Sequence, residues 1–71
     1  MIIEDDPMVS KLLKAGLAED NRELFVAASC EEAFSQIDGG SVPEVIVLDL
    51  SLPGMSGIEF LKVVRKRYPF I

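Results

Sequence analysis

The chain has 71 residues, of which 12 are Asp or Glu, 7 are Lys or Arg and none is His, for a formal net charge of −5. One domain is the ceiling at this length, and an apolar fraction of 49% is too high for a disordered segment. The lack of His excludes a Ser-His-Asp triad, a Cys-His pair and His-ligated zinc, and the acidic balance speaks against a nucleic-acid surface. The lone Cys30 has no partner for an internal disulfide, which fits a reducing compartment. No apolar run approaches the roughly 18 residues of a membrane span. The start, Met1 to Asp6, turns acidic at once and does not read as a secretory signal.

Met1-Ile2-Ile3 is a very short apolar run and reads as a first strand. Pro7 suits the first turn of a helix, where a missing N–H costs nothing. Residues 7–19 carry Met8, Val9, Leu12, Leu13, Gly16 and Leu17 at i, i+3, i+4 spacing, an amphipathic helix that Asp20-Asn21 ends. Met8 is expected in the core. Leu24 to Ala28 reads as a second strand. Ser29 and Glu32 have capping-box spacing, which predicts a helix from about Cys30, with Ala33, Phe34 and Ile37 inward and Gly39-Gly40 as its stop. Cys30 is expected to be a buried small residue, and Phe25, Phe34 and Phe60 core or core margin.

Val45 to Leu48 is continuously apolar, as in a parallel strand buried on both faces. Leu52-Pro53-Gly54-Met55-Ser56-Gly57 is turn-rich, with Met55 in the loop. Ser56 and Glu59 repeat the capping spacing and open a third helix, with Ile58, Leu61, Val64 and Tyr68 on one face. Lys62, Arg65, Lys66 and Arg67 crowd its last turns, where they complement the helix dipole. Tyr68-Pro69 stops it, and Phe70-Ile71 looks like the opening of another strand. Alternating β and α units predict an α/β fold with a parallel sheet and right-handed crossovers.

In open α/β sheets, ligands bind beyond the carboxyl ends of the strands. Glu4, Asp5 and Asp6 follow the first strand and Asp49 ends the third, so the carboxylates converge if those strands are neighbours. Crowded carboxylates repel unless a cation neutralises them, and oxygen donors beside a phosphate favour Mg²⁺. An Asp kept ionised there is a candidate nucleophile toward phosphorus. The plain structural reading stands beside this one: acidic residues before Pro7 also suit a helix start. A carboxylate directly after Val45 to Leu48 is costly unless it reaches the sheet end and a partner.

With these residues in view, the sequence resembles the receiver domain of two-component response regulators. The resemblance rests on Ile2-Ile3-Glu4-Asp5-Asp6-Pro7 and on Val45-Ile46-Val47-Leu48-Asp49-Leu50-Ser51-Leu52-Pro53-Gly54-Met55-Ser56-Gly57. It is supported by Ala28-Ser29-Cys30-Glu31-Glu32-Ala33 and by Tyr68-Pro69. It implies a flavodoxin-like, doubly wound parallel sheet, here a truncated three-strand, three-helix portion of a five-unit receiver fold. It implies that Asp49 accepts a phosphoryl group from a histidine kinase or phosphotransfer protein and switches a downstream output domain. Mg²⁺ would be held by Asp5, Asp49 and the Ser51 backbone carbonyl, with Glu4 acting through water. Pro53 and Gly57 would shape the loop, and Asp6 would open the helix. Such a domain is cytoplasmic and not a conventional enzyme, although receivers assist their own phosphotransfer and dephosphorylation.

The family also uses a Ser or Thr after its fourth strand and a Lys after its fifth, and neither unit occurs in residues 1–71. Lys11, Lys14, Lys62 and Lys66 do not match that Lys and read as solvated surface. An uncovered core is expected, with the first strand at an edge, and with it self-association or domain swapping. The alternative reading is a receiver-like interaction fragment that is not phosphorylated. A haloacid-dehalogenase-type phosphatase would need a second Asp where Ser51 stands. Gly57 comes one residue too early for a G-x-S-x-G elbow, and no phosphate-binding Gly-Lys motif occurs.

Overall fold

The computed structural model describes residues 1–19 and 22–71. In chain order the elements are β1 (Ile2–Ile3), α1 (Pro7–Leu17), β2 (Val26–Ala27), α2 (Cys30–Asp38), β3 (Val47–Leu48) and α3 (Gly57–Arg67). The three strands form one open parallel sheet in the order β2-β1-β3. This is the alternating α/β architecture expected, with one correction: β1 is the central strand and β3 an edge. Each strand is short because β1 offers only two residues to pair on both sides. Main-chain bonds nevertheless reach further. The Ile2 and Glu4 N–H groups donate to the Phe25 and Ala27 carbonyls, and those of Val47 and Asp49 donate to the Met1 and Ile3 carbonyls.

The helices start where short polar side chains satisfy their free N–H groups. Asp6 Oδ1 accepts from Met8 N at 2.9 Å and Val9 N at 3.4 Å, with Pro7 behind it. Ser29 Oγ accepts from Glu32 N at 3.0 Å, and Ser56 Oγ from Glu59 N at 3.1 Å. The end of α1 falls at Leu17; the expected stop at Asp20-Asn21 lies outside the described residues. Gly40, at φ +108°, turns the chain out of α2.

Side chains alternate across β1, and that alternation divides the molecule. Met1 and Ile3 face α2 and α3, where Ala27, Cys30, Ala33, Ile37, Leu52, Phe60 and Val64 complete one core. The Phe34 and Phe60 rings, 4.8 Å apart, join the two helices within it. Ile2 points to the opposite side of the sheet and is equally buried, but α1 contributes no buried residue there. At the far ends of α2 and α3, Arg67 Nη2 donates to both Asp38 oxygens at 3.0 and 3.2 Å, and Tyr68 Oη donates to the same carboxylate.

Several expectations change with this division. Met8 is 72% exposed rather than in the core, because none of the described residues buries that side of α1. Val45 and Val47 are exposed at 70% and 38%, so the third strand is covered on the Ile46 and Leu48 face alone. The inner side of α3 is Phe60 and Val64; Ile58 and Leu61 face outward. Met55 is half-buried against the core although it lies in the loop. Phe70-Ile71 is no strand but the second half of a turn over residues 68–71, in which the Ile71 N–H closes back on the Tyr68 carbonyl at 3.1 Å. No helix among the described residues is long and apolar enough to cross a membrane.

Candidate functional site

The parallel register pairs Ile3 with Leu48, so the residues that follow each strand emerge side by side. The Asp49 N–H donates to the Ile3 carbonyl at 3.1 Å and fixes that level. As a result Glu4, Asp5 and Asp49 each bring a carboxylate oxygen into one group, all within 4.8 Å of one another. Asp5 is exposed, and Glu4 and Asp49 are half-buried. Asp6 is turned away into the α1 cap. An open groove of about 890 Å³ lies at the amino ends of the strands, lined by Leu24, Phe25, Pro43 and Val45, and holds none of these carboxylates.

The loop after β3 is shaped from within. Ser51 donates twice to Asp49 Oδ1, from its backbone N–H at 2.9 Å and from Oγ at 2.7 Å. This is an Asx turn, in which an Asp side chain stands in for a backbone acceptor. Both bonds fall on Oδ1, which leaves Oδ2 clear of Ser51. Leu52 is buried in the core and anchors the loop from below. Pro53 is exposed at the bend, and Gly54 takes φ +83°, a conformation most residues avoid. Gly57 is buried at the start of α3, where a Cβ would lie 2.7 Å from Leu50 Cδ2 and 3.2 Å from Leu50 Cα.

The electrostatics of the two half-buried carboxyls differ in sign. The Ser51 backbone N–H, and after it the Ser51 hydroxyl, hold Asp49 below the usual Asp range. For Glu4 the largest influence is the Asp6 N–H, donated at 3.1 Å, which favours the ionised form. Partial burial and the neighbouring Asp49 and Asp5 together outweigh it, and the Glu4 carboxyl is pushed up. The Ser51 donors thus offset the crowding at Asp49, while at Glu4 it outweighs the Asp6 N–H.

The donor set is oxygen alone, which suits a hard divalent cation. Opposed ligands of Mg²⁺ stand about 4.2 Å apart, twice its Mg–O distance. The 4.8 Å spread is close to that size and fits direct bonds from some members and a water-bridged one from another. Asp49, held below the usual Asp range, stands at the carboxyl edge of the sheet with Oδ2 clear of Ser51. The Ser51 hydroxyl as a donor to Asp49 is a feature that the sequence reading missed, since it marked only the Ser51 carbonyl. The Asp-x-Ser spacing was the available signal.

The family model described as the response regulator receiver domain matches residues 1–71. Among curated proteins, the chain is 31% identical over 67 residues to the transcriptional regulatory protein TcrA of Mycobacterium tuberculosis, covering 94% of this chain and 26% of that protein. It is 35% identical over 71 residues to the transcriptional activator protein ExaE of Pseudomonas putida, covering 97% and 33%. It is 32% identical over 71 residues to a protein-glutamate methylesterase/protein-glutamine glutaminase of Cereibacter sphaeroides, covering 97% and 19%. The chain therefore spans about a fifth to a third of the length of these relatives. No solved structure matches it significantly.

Proposed function

The chain belongs to the response regulator receiver domain family, and from that membership we propose that it is a phosphoacceptor signalling unit whose acceptor is Asp49. The observation that carries the proposal is the convergence of Glu4, Asp5 and Asp49 within 4.8 Å at the carboxyl edge of β1 and β3. The donor is a phosphohistidine of a histidine kinase or of a phosphotransfer protein. An Asp49 carboxylate oxygen attacks phosphorus and a P–O bond forms. The P–N bond breaks, its electron pair stays on the imidazole nitrogen, and that nitrogen takes a proton. The product is an acyl phosphate on Asp49.

Asp5, Asp49 and the Ser51 backbone carbonyl would hold Mg²⁺, with Glu4 acting through water. When bound, the ion offsets the charge of the carboxylates and of the incoming phosphoryl oxygens. The chain's own residues supply the rest. Ser51 keeps Asp49 ionised and oriented through Oδ1, and Pro53 and Gly57 set the path of the loop beside it.

Residues 1–71 would be the first three βα units of a five-unit receiver. The relatives that share this segment carry names as different as transcriptional activator and methylesterase. A receiver is thus compatible with several outputs, and the output of this chain would lie in a segment other than the one described. A cytoplasmic setting goes with the kinase partner.

The test is acyl-phosphate labelling with acetyl phosphate and Mg²⁺, read by intact mass. A gain of one phosphoryl group is expected on the wild-type chain, and none on Asp49→Asn. Labelling that persists in Asp49→Asn would refute the assignment.

A further inference from the structure

The loop that carries Ser51 is also tied to α2. Glu31, in the first turn of α2, accepts the Met55 N–H through Oε1 at 3.2 Å, across 24 residues of chain. Gly54 permits the approach. A Cβ at that position would sit 3.3 Å from Glu31 Oε1, and the backbone there has the positive φ that favours Gly. The other side-chain bonds of residues 50–56 are local, from Ser51 to Asp49 and from Glu59 to Ser56. Among the described residues, Glu31 is the side chain that bonds this loop from another element.

We infer that Glu31 is a positioning residue for the Asp49 site, an inference that rests on the phosphoacceptor reading above. Met55 and Leu52 pack on the core and anchor the loop from below, but apolar packing is non-directional and does not by itself orient the bend. The Glu31 bond supplies the missing direction. Met55 stands one residue before Ser56, so with Met55 held the α3 end of the loop is set relative to α2, which limits the swing of the stretch from Asp49 to Leu52 and keeps Ser51 against Asp49 Oδ1. Without it, the bend samples more conformations, and the Ser51 bonds and the Ser51 carbonyl are presented for a smaller share of the time. Glu31 acts through the loop and touches neither phosphorus nor metal.

The experiment separates reach from charge. Glu31→Gln keeps an acceptor at the same distance and drops the charge. Glu31→Asp keeps the charge and the helix start but is one methylene too short to reach Met55. Three readouts are taken on the wild-type chain, both variants and Asp49→Asn: the Ser51 and Met55 amide NMR signals without metal, Mg²⁺ affinity, and the rate of acetyl-phosphate labelling. Thermal melts confirm that each is folded. Glu31→Gln is expected within about twofold of wild type. Glu31→Asp is expected to bind Mg²⁺ and to label about threefold to tenfold more weakly, the value of one lost hydrogen bond, with Ser51 and Met55 amides shifted toward solvent-exposed positions. Wild-type behaviour of Glu31→Asp overturns the inference, as does a Glu31→Gln defect equal to that of Glu31→Asp. Labelling that Asp49→Asn fails to abolish sinks the phosphoacceptor reading instead, while the metal-free amide signals still judge Glu31.

Discussion

Replacing Gly57 by Ala sets two opposed effects against each other, and the distances decide between them. The added methyl would meet Leu50 Cδ2 at 2.7 Å, Leu48 Cδ2 at 3.3 Å and Leu50 Cα at 3.2 Å. The first of these atoms is the tip of a side chain 63% exposed, which swings into solvent at little cost. The last belongs to the backbone, so the start of α3 or the loop after Asp49 has to move by a few tenths of an ångström. Overpacking of this kind costs about 1–3 kcal/mol. Ala's better helix propensity returns at most about 1 kcal/mol, and less at the first helical position. The net expectation is a loss of about 1–2 kcal/mol, a fall in Tm of roughly 4–15 °C for a domain of this size. Gly16→Ala is the matched control, since nothing lies within 4 Å of its Cβ position near the end of α1. It is expected to gain about 0.5 kcal/mol and raise Tm by a few degrees. Circular-dichroism melts of the two variants side by side make the comparison. A Gly57→Ala melt that rises like that of Gly16→Ala would show that the close approach at Leu50 carries no weight.

Two other measurements follow from the titrating groups. Glu4 is pushed up, so its contribution to stability is present below its unfolded value and is lost as pH rises through the folded one. Metal-free Glu4→Gln should therefore melt higher than wild type at pH 7 and lose that advantage near pH 4, and a lower Tm at pH 7 contradicts the repulsion argument. Asp49 has the opposite sign: its lowered value contributes stability above the unfolded value and loses it as pH falls through the folded one. Cys30 is buried, and burial first, then the charge of Glu31, pushes its thiol up. Native chain at pH 8 should react with a disulfide reagent at least tenfold more slowly than chain in denaturant, in the manner of an inert buried thiol, and equal rates would mean that the α2 start is open.

The helix starts were legible because each is written in local chemistry. Asp6-Pro7, Ser29 with Glu32 and Ser56 with Glu59 act within four residues, and all three caps form. The strands were legible in place but not in extent. Pairing is a property of two strands, and the two residues of β1 set the length of both neighbours. Exposure was the least legible quantity. Met8, Val45, Ile58 and Leu61 have the apolarity of core residues, yet their burial depends on what stands opposite, which periodicity does not carry. The convergence of Glu4, Asp5 and Asp49 was readable only through the supposition that strands one and three adjoin. The tie from Glu31 to Met55 had no sequence signal, since an acidic residue in a first helical turn is ordinary.

The main-chain bond from Asp49 to Ile3 joins two stretches of polypeptide through a ladder only two residue pairs long. An ion held by Asp5 on one side and by Asp49 and the Ser51 carbonyl on the other, with Glu4 through water, would act as a clasp across that short seam, closing a loop of more than forty residues in a single step. Its occupancy would then be worth folding free energy, about 2.7 kcal/mol at a hundred times its dissociation constant. Chelation would accordingly loosen the β1–β3 seam as well as silence the chemistry, so that exchange of the Asp49 amide with solvent deuterium would register the ion from the main chain itself.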